Sequence, residues 1–268
     1  MIKLPDIPLS TAASRQLISW QAEVDALASH AARVEAAKRL FKQRNISRNR
    51  TFAEVRRQLT AMCSGAQRCG YCEDSAADEV EHIRPKDLYP ELVFAWHNYL
   101  YACGPCNGPK NNQFAVFPVR ARKPVEVSPA AGAPSRSPPK GEPALIDPRG
   151  EDPMSFLVLD LQGTFMFEPR AAKGTRDYER ADYTRRILRL NRELLMVARA
   201  EAFGSYRARV SEYITQRERG ASKAALQRRI EAIQLAAHPT VWWEMKRQQR
   251  QHRELRALFR EAPEALSW

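Results

Sequence analysis

Four of the five cysteines stand in two Cys-x-x-Cys pairs, Cys69/Cys72 and Cys103/Cys106. Thiolates are soft ligands, and two such pairs supply the donor set of a tetrahedral zinc site. Four sulfurs fill the coordination sphere, so this zinc is expected to be structural, with no position left for a substrate. Other residue types fit for chemistry lie between the pairs and just after them: Glu81-His82, then Asn98, then Asn107 and Lys110. An imidazole with an ordinary pKa near neutrality can take a proton from water. Carboxylate and carboxamide oxygens suit a hard divalent cation. The fifth cysteine, Cys63, reads as a small core residue.

Elements must bring these groups together. "EVEHIRPK" reads as a short strand ending at Pro85, and "CGPCNGPK" places Asn107 and Lys110 at the start of a short helix. Upstream, the spacing of Leu17, Trp20, Val24 and Leu27 predicts one helix from Ser10 to about Arg44. A second follows from Thr51 to about Met62, with Phe52, Val55 and Leu59 on one face. Downstream, "SFLVLDLQGTFMFEP" predicts a β-hairpin turning at Gln162-Gly163. From about Arg176 the chain reads as helix almost to its end, with breaks at "RGAS" and at His238-Pro239.

The fold class expected is α+β and mostly helical. An N-terminal helical region covers 1–60, a zinc-clipped core 61–123, and a Pro-rich linker or loop 124–145. A hairpin packed on the core covers 146–170, and a basic C-terminal helical region 171–268.

The 268 residues carry a formal net charge of +12, which points to a polyanionic partner, nucleic acid above all. The stretch contains no export leader and no apolar run long enough to span a bilayer, so the expectation is a cytoplasmic bacterial protein with no membrane partner. In a reducing compartment the cysteine pairs read as metal ligands and not as disulfides. No G-x-x-x-x-G-K-[ST] occurs, so any ATP dependence would belong to another subunit.

Glu81-His82, Pro85, Asn98, Cys103-Gly104-Pro105-Cys106-Asn107 and Lys110 together resemble the HNH endonuclease motif in its four-cysteine zinc form. Glu81 stands where Asp is usual and Asn107 where the last His is usual. "CGYCE", "EHIRPK", "YPELVFAWHNYLYACGPCNGPKNN", "LIDPRGEDP" and "ILRLNR" are similar to the HNH nuclease subunits of Septu-type and retron-linked anti-phage systems, in which Glu-His and Cys-Asn are usual. The resemblance implies a ββα-metal core that hydrolyses phosphodiester bonds, with DNA as the expected substrate. His82 would be the general base. Glu81 and Asn107 would hold Mg²⁺ or Mn²⁺, and Asn98 would brace the loop and orient His82. Arg84, Lys86 and Lys110 would contact phosphates. It also implies an ABC-type ATPase partner and, in retron-linked versions, an RNA–DNA hybrid.

Other readings are a stand-alone restriction-type HNH endonuclease, a non-catalytic zinc-ribbon nucleic-acid-binding protein, and a structural subunit with a decayed site. Asp74, Asp78 and Glu79 are assigned to an acidic solvated loop. Trp96, Trp242 and Trp243 are assigned to packing and His97 to the surface or a structural role. His30, His238 and His252 receive no function.

Overall fold

The computed structural model describes residues 1–128 and 136–268. It is a mixed α/β protein, mostly helical, with three small antiparallel sheets among the described residues. Three helices open the chain: α1 (Thr11–Asp25), α2 (His30–Arg44) and α3 (Arg50–Met62). Each starts at a side-chain cap: Ser10 accepts from Ala13 N, Ser29 from Ala32 N, and Asn49 from Phe52 N. Such caps satisfy amides that a helix start leaves unpaired. The single helix expected over residues 10–44 is therefore two. Ser29 starts a new helix after α1 has ended, and Ala36, Ala37, Leu40 and Phe41 turn inward beside Leu17, Trp20 and Val24.

After the first cysteine pair come strand β1 (Glu79–His82), a long connection, strand β2 (Tyr99–Ala102) and helix α4 (Gly104–Lys110). The strands pair Glu79 with Ala102, Val80 with Tyr101, Glu81 with Leu100, and His82 with Tyr99. Successive side chains on a strand point to opposite faces, and the two faces serve different cores. Val80, Tyr99 and Tyr101 pack with α1–α3, whereas Leu100, Ala102 and the four paired cysteines pack with the C-terminal half. Every residue of β2 is consequently buried.

Strand β3 (Ala115–Phe117) pairs with β4 (Val125–Glu126) on one side and β5 (Glu142–Pro143) on the other. The Pro-rich region expected as a linker or loop over 124–145 is hydrogen-bonded to β3 at both ends, and its residues 129–135 lie outside the described residues. Strands β6 (Leu157–Leu159) and β7 (Phe167–Pro169) form the expected hairpin, but with a wider loop than a turn at Gln162-Gly163. The Asp160 carboxylate organises that loop by accepting from Gln162 N, Thr164 N and the Thr164 hydroxyl.

Five helices complete the chain: α5 (Arg176–Ile187), α6 (Glu193–Glu218), α7 (Lys223–Gln234), α8 (Pro239–Gln248) and α9 (Arg253–Glu261). The breaks at "RGAS" and His238-Pro239 fall between α6, α7 and α8, and two further breaks separate α5 from α6 and α8 from α9. Trp242 packs against Tyr206 and Phe259, but Trp243 is exposed and not part of the core. No helix among the described residues is long and apolar enough to cross a membrane.

Candidate functional site

Cys69 and Cys72 occupy the turn before β1, and Cys103 and Cys106 the junction of β2 with α4. Gly70 N donates to Tyr101 O at 2.9 Å, tying the first turn to β2. Cys106 N and Asn107 N both donate to Cys103 O, winding the second turn into α4. All four sulfurs are buried and lie within 4.8 Å of one another. At a Zn–S length of about 2.3 Å, the edge of a sulfur tetrahedron is roughly 3.8 Å; Cys72 Sγ and Cys103 Sγ are 3.7 Å apart. A zinc ion with four thiolates carries two net negative charges, and Arg192 Nη1 stands 3.7 Å from Cys106 Sγ to offset part of them. The donor set, burial and compensating cation all fit a structural zinc, which these four residues can hold.

This clip sets α4 against β1. Asn107 and Lys110, three residues apart, share a face of α4. Glu79 and Glu81, two residues apart, share a face of β1. Each α4 residue meets one carboxylate. Asn107 Nδ2 donates to Glu79 Oε2 at 2.5 Å, and the Lys110 ammonium donates to Glu81 Oε1 and, at 2.9 Å, to His82 O. Lys110 is 0% exposed and Glu81 6%. Burial pushes the Glu81 carboxyl above its ordinary range, and the Lys110 ammonium pulls it back part of the way.

His82 leaves β1 on the other face. Its ring lies 4.5 Å from that of Phe41 and 5.2 Å from that of Tyr99, both edge-on, and it is 4% exposed. Nε2 is 3.0 Å from Val93 O, an acceptor only, so Nε2 carries the proton and Nδ1 keeps the lone pair. Burial, with Lys86 adding to it, pushes the imidazole down to about 3. The ring is therefore neutral at pH 7.

A cavity of about 420 Å³ is lined by Glu79, Glu81, His82, Lys86 and Asn107, together with residues of the N-terminal helices. Side chains from both faces of β1 reach it, which places it along the edge of β1 that β2 leaves unpaired. Asp78, Glu79 and Glu81 contribute carboxylates to its lining, and Lys86, Arg56, Asn45, Asn111 and Asn112 contribute cationic and amide groups.

Asn98, 3% exposed, does not line this cavity. Its amide accepts from Arg84 N at 2.8 Å and donates to Arg84 O and Leu92 O. It thereby fixes the chain that leaves β1 next to His82. Two expected phosphate contacts are placed otherwise. Lys110 has no exposed surface because its ammonium is spent on Glu81 and the His82 carbonyl. Arg84 lines a second cavity with Asn98 and Asp147, and its guanidinium lies over Tyr89. Lys86 alone of the three lines the same cavity as His82.

Glu79 is a strand residue, not part of a solvated loop as expected, and Asp74 bonds His238 Nε2 at 3.2 Å. Strand alternation was the available signal for Glu79, since any residue two before Glu81 shares its face. Phe41, Asn45 and Arg56 line the cavity from α2, the residue after it, and α3, and sequence reading did not reach them. Arg149 was also missed as a buttress. Its guanidinium lies 4.5 Å from the Trp96 ring and donates to Trp96 O and Tyr99 O, holding the start of β2.

Over 73 residues the chain is 38% identical to the Septu protein PtuB of Bacillus thuringiensis. That stretch is 25% of this chain and 26% of the relative, so the chain spans about a quarter of the length of the curated protein it matches. No family model matches the sequence, and no solved structure matches it.

Proposed function

We propose that the protein is a metal-dependent HNH-type endonuclease that hydrolyses nucleic-acid phosphodiester bonds, with DNA as its substrate. One observation carries this reading: a lone-pair imidazole and oxygen donors from β1 and α4 open onto one cavity, which also has cationic and amide groups to receive a phosphate backbone. A simple zinc ribbon has no need of that grouping.

His82 acts as general base through Nδ1, since Val93 O engages Nε2. Its neutral state keeps it able to accept a proton, and an anionic phosphate in the cavity supplies the counter-charge that an imidazolium needs. Phe41 and Tyr99 hold the ring in place, and Asn98 fixes the backbone just after it. Oxygen donors on β1 and Asn107 on α4 would hold Mg²⁺ or Mn²⁺. Bound there, such an ion would polarise the phosphate and offset charge on the leaving oxygen. Lys86 and Arg56 contact phosphates without reading bases. The four-cysteine zinc keeps β1 and α4 in register and takes no part in chemistry.

The likeness to a Septu protein supports an anti-phage defence setting, with the nuclease as effector beside an ABC-type ATPase subunit and, in a retron-linked arrangement, an RNA–DNA hybrid. The test is plasmid nicking in Mn²⁺, with the genomic neighbours supplied, comparing wild type with His82→Ala. Cutting by wild type and its loss in the variant is expected. If neither protein cuts DNA or RNA while both bind it, the zinc-ribbon reading replaces this one.

A further inference from the structure

We propose that Tyr99 and Gln21 are positioning residues for the general base His82, and that they act by clamping one peptide group, Val93–Phe94, against which the imidazole is held. This deepens the nuclease reading above and rests on it. Neither residue lines the His82 cavity, so both act through other groups and not on substrate.

The carbonyl end of the peptide carries the first half of the clamp. A carbonyl oxygen has two lone pairs. Val93 O, in a residue with no exposed surface, lies 3.0 Å from His82 Nε2 and accepts from the Tyr99 hydroxyl at 2.6 Å. Both lone pairs are thus used. Tyr99 is also fully buried, and Val93 O is the partner of its hydroxyl. A phenylalanine would fill the same space, and a buried hydroxyl is costly without an acceptor. The pairing of β1 with β2 sets Tyr99 opposite His82, so hydroxyl and imidazole reach the same oxygen from neighbouring strands.

The N–H end carries the second half. Phe94 N donates to Gln21 Oε1 at 2.9 Å, and Gln21 Nε2 donates to Pro90 O at 3.1 Å. Gln21 stands on α1, and its neighbour Trp20 packs against the Phe94 ring with centroids 5.5 Å apart. A peptide group is planar, so holding its N–H and its C=O fixes the plane. Hydrogen bonds at both ends also polarise the group, which strengthens its hold on His82.

The imidazole is itself rigid. With Nε2 against a fixed oxygen, and the ring edge-on to Phe41 and Tyr99, the direction of Nδ1 is set without using its lone pair. Asn98 holds Leu92 O, one residue earlier, whereas Tyr99 and Gln21 hold the peptide that His82 touches.

The test uses the zinc-loaded protein with its genomic neighbours, at a temperature well below every melting transition. Tyr99→Phe and Gln21→Ala are compared with wild type. Tyr101→Phe is the control, since Tyr101 shares a face of β2 with Tyr99 and has no bond to Val93. In plasmid nicking with Mn²⁺, Tyr99→Phe and Gln21→Ala should each lower the maximal rate about five- to tenfold, less than the roughly hundredfold that a misplacement of about 1 Å costs. The half-saturating plasmid concentration should not move, and Tyr101→Phe should nick like wild type. In the protein alone, exchange of the His82 Nε2 proton with water is read by nitrogen-15 NMR of the labelled imidazole. It should quicken about fivefold or more in both variants, the worth of one ordinary hydrogen bond. Loss of packing alone would lower the melting temperature and leave both readings in place. If wild type nicks and either variant nicks within about threefold of it, or keeps the wild-type exchange rate, the inference falls and the nuclease reading stands. A wild type that nicks nothing removes the nuclease reading, and the exchange rate then decides the clamp by itself.

Discussion

Replacing Lys110 by Met removes a buried ammonium and little volume. Glu81 is then left 6% exposed with no cation, and the His82 carbonyl loses its donor. Breaking a buried pair in this way costs about 3–5 kcal/mol. The carboxylate has an escape: it can take a proton and become neutral. At pH 7, about 2.5 pH units above the ordinary carboxyl value of 4.5, that protonation costs about 3.5 kcal/mol at about 1.4 kcal/mol per unit. The penalty from Glu81 is therefore capped near that figure at pH 7 and shrinks to below about 1 kcal/mol at pH 5. The sign follows from linkage. In the variant the folded-state pKa of Glu81 rises further above the unfolded value, so the group's contribution is intact below 4.5 and is lost as pH climbs toward the raised value. Thermal unfolding of the zinc-loaded protein at several pH values reads this out. For a chain of this size about 3.5 kcal/mol corresponds to a fall of roughly 10 °C at pH 7, most of it recovered at pH 5. Adding Glu81→Gln to Lys110→Met should restore much of the loss at pH 7, giving a coupling of about 2 kcal/mol. A Lys110→Met protein that melts within about 2 °C of wild type at pH 7, or a deficit that does not change with pH, would refute the reasoning.

Three other outcomes are expected. Cys106→Ser should lower bound zinc from one per chain to well under half, by elemental analysis, with loss of the cooperative melt, because the clip sets α4 against β1. His82 should not titrate between pH 5 and 8 in an imidazole NMR titration, since the fold holds it down to about 3; the stability it contributes is present above 6.5 and lost as pH falls from 6.5 toward 3, and a midpoint near 6.5 would contradict the burial described. Asn98→Ala strands Arg84 N, Arg84 O and Leu92 O, so it should cost about 3 kcal/mol in thermal unfolding and lower nicking as well, whereas a stable variant with normal nicking would deny Asn98 its bracing role.

Much of the candidate site was legible because its parts lie close in sequence. The two Cys-x-x-Cys pairs, the adjacent Glu81 and His82, and the step from Cys106 to Asn107 each fix relations over a few residues, where helix and strand periods apply. The roles within the site were less legible. Asn107 and Lys110 on one face of α4, and Glu79 and Glu81 on one face of β1, follow from period alone, but which partner each takes depends on the register between strand and helix. That register is set by the cysteine cluster and not by local propensity. The wall supplied by Phe41, Asn45 and Arg56 depends on how α2 and α3 dock on Val80 and Tyr99, which no local pattern encodes. The split of the first helix was readable in principle from Ser29, a capping residue inside an otherwise continuous apolar pattern. The short strands at the two ends of the Pro-rich stretch were not legible for a different reason. Composition there reports the lack of apolar side chains, whereas the pairing of β4 and β5 with β3 uses backbone groups.

The most direct test is anomalous diffraction from crystals of the zinc-loaded protein soaked in Mn²⁺. Two sites are expected per chain: zinc among Cys69, Cys72, Cys103 and Cys106, and manganese in the β1-edge cavity lined by Glu79, Glu81, His82 and Asn107. A cavity with no peak at saturating Mn²⁺, or a peak remote from His82 and Asn107, would contradict the nuclease account itself.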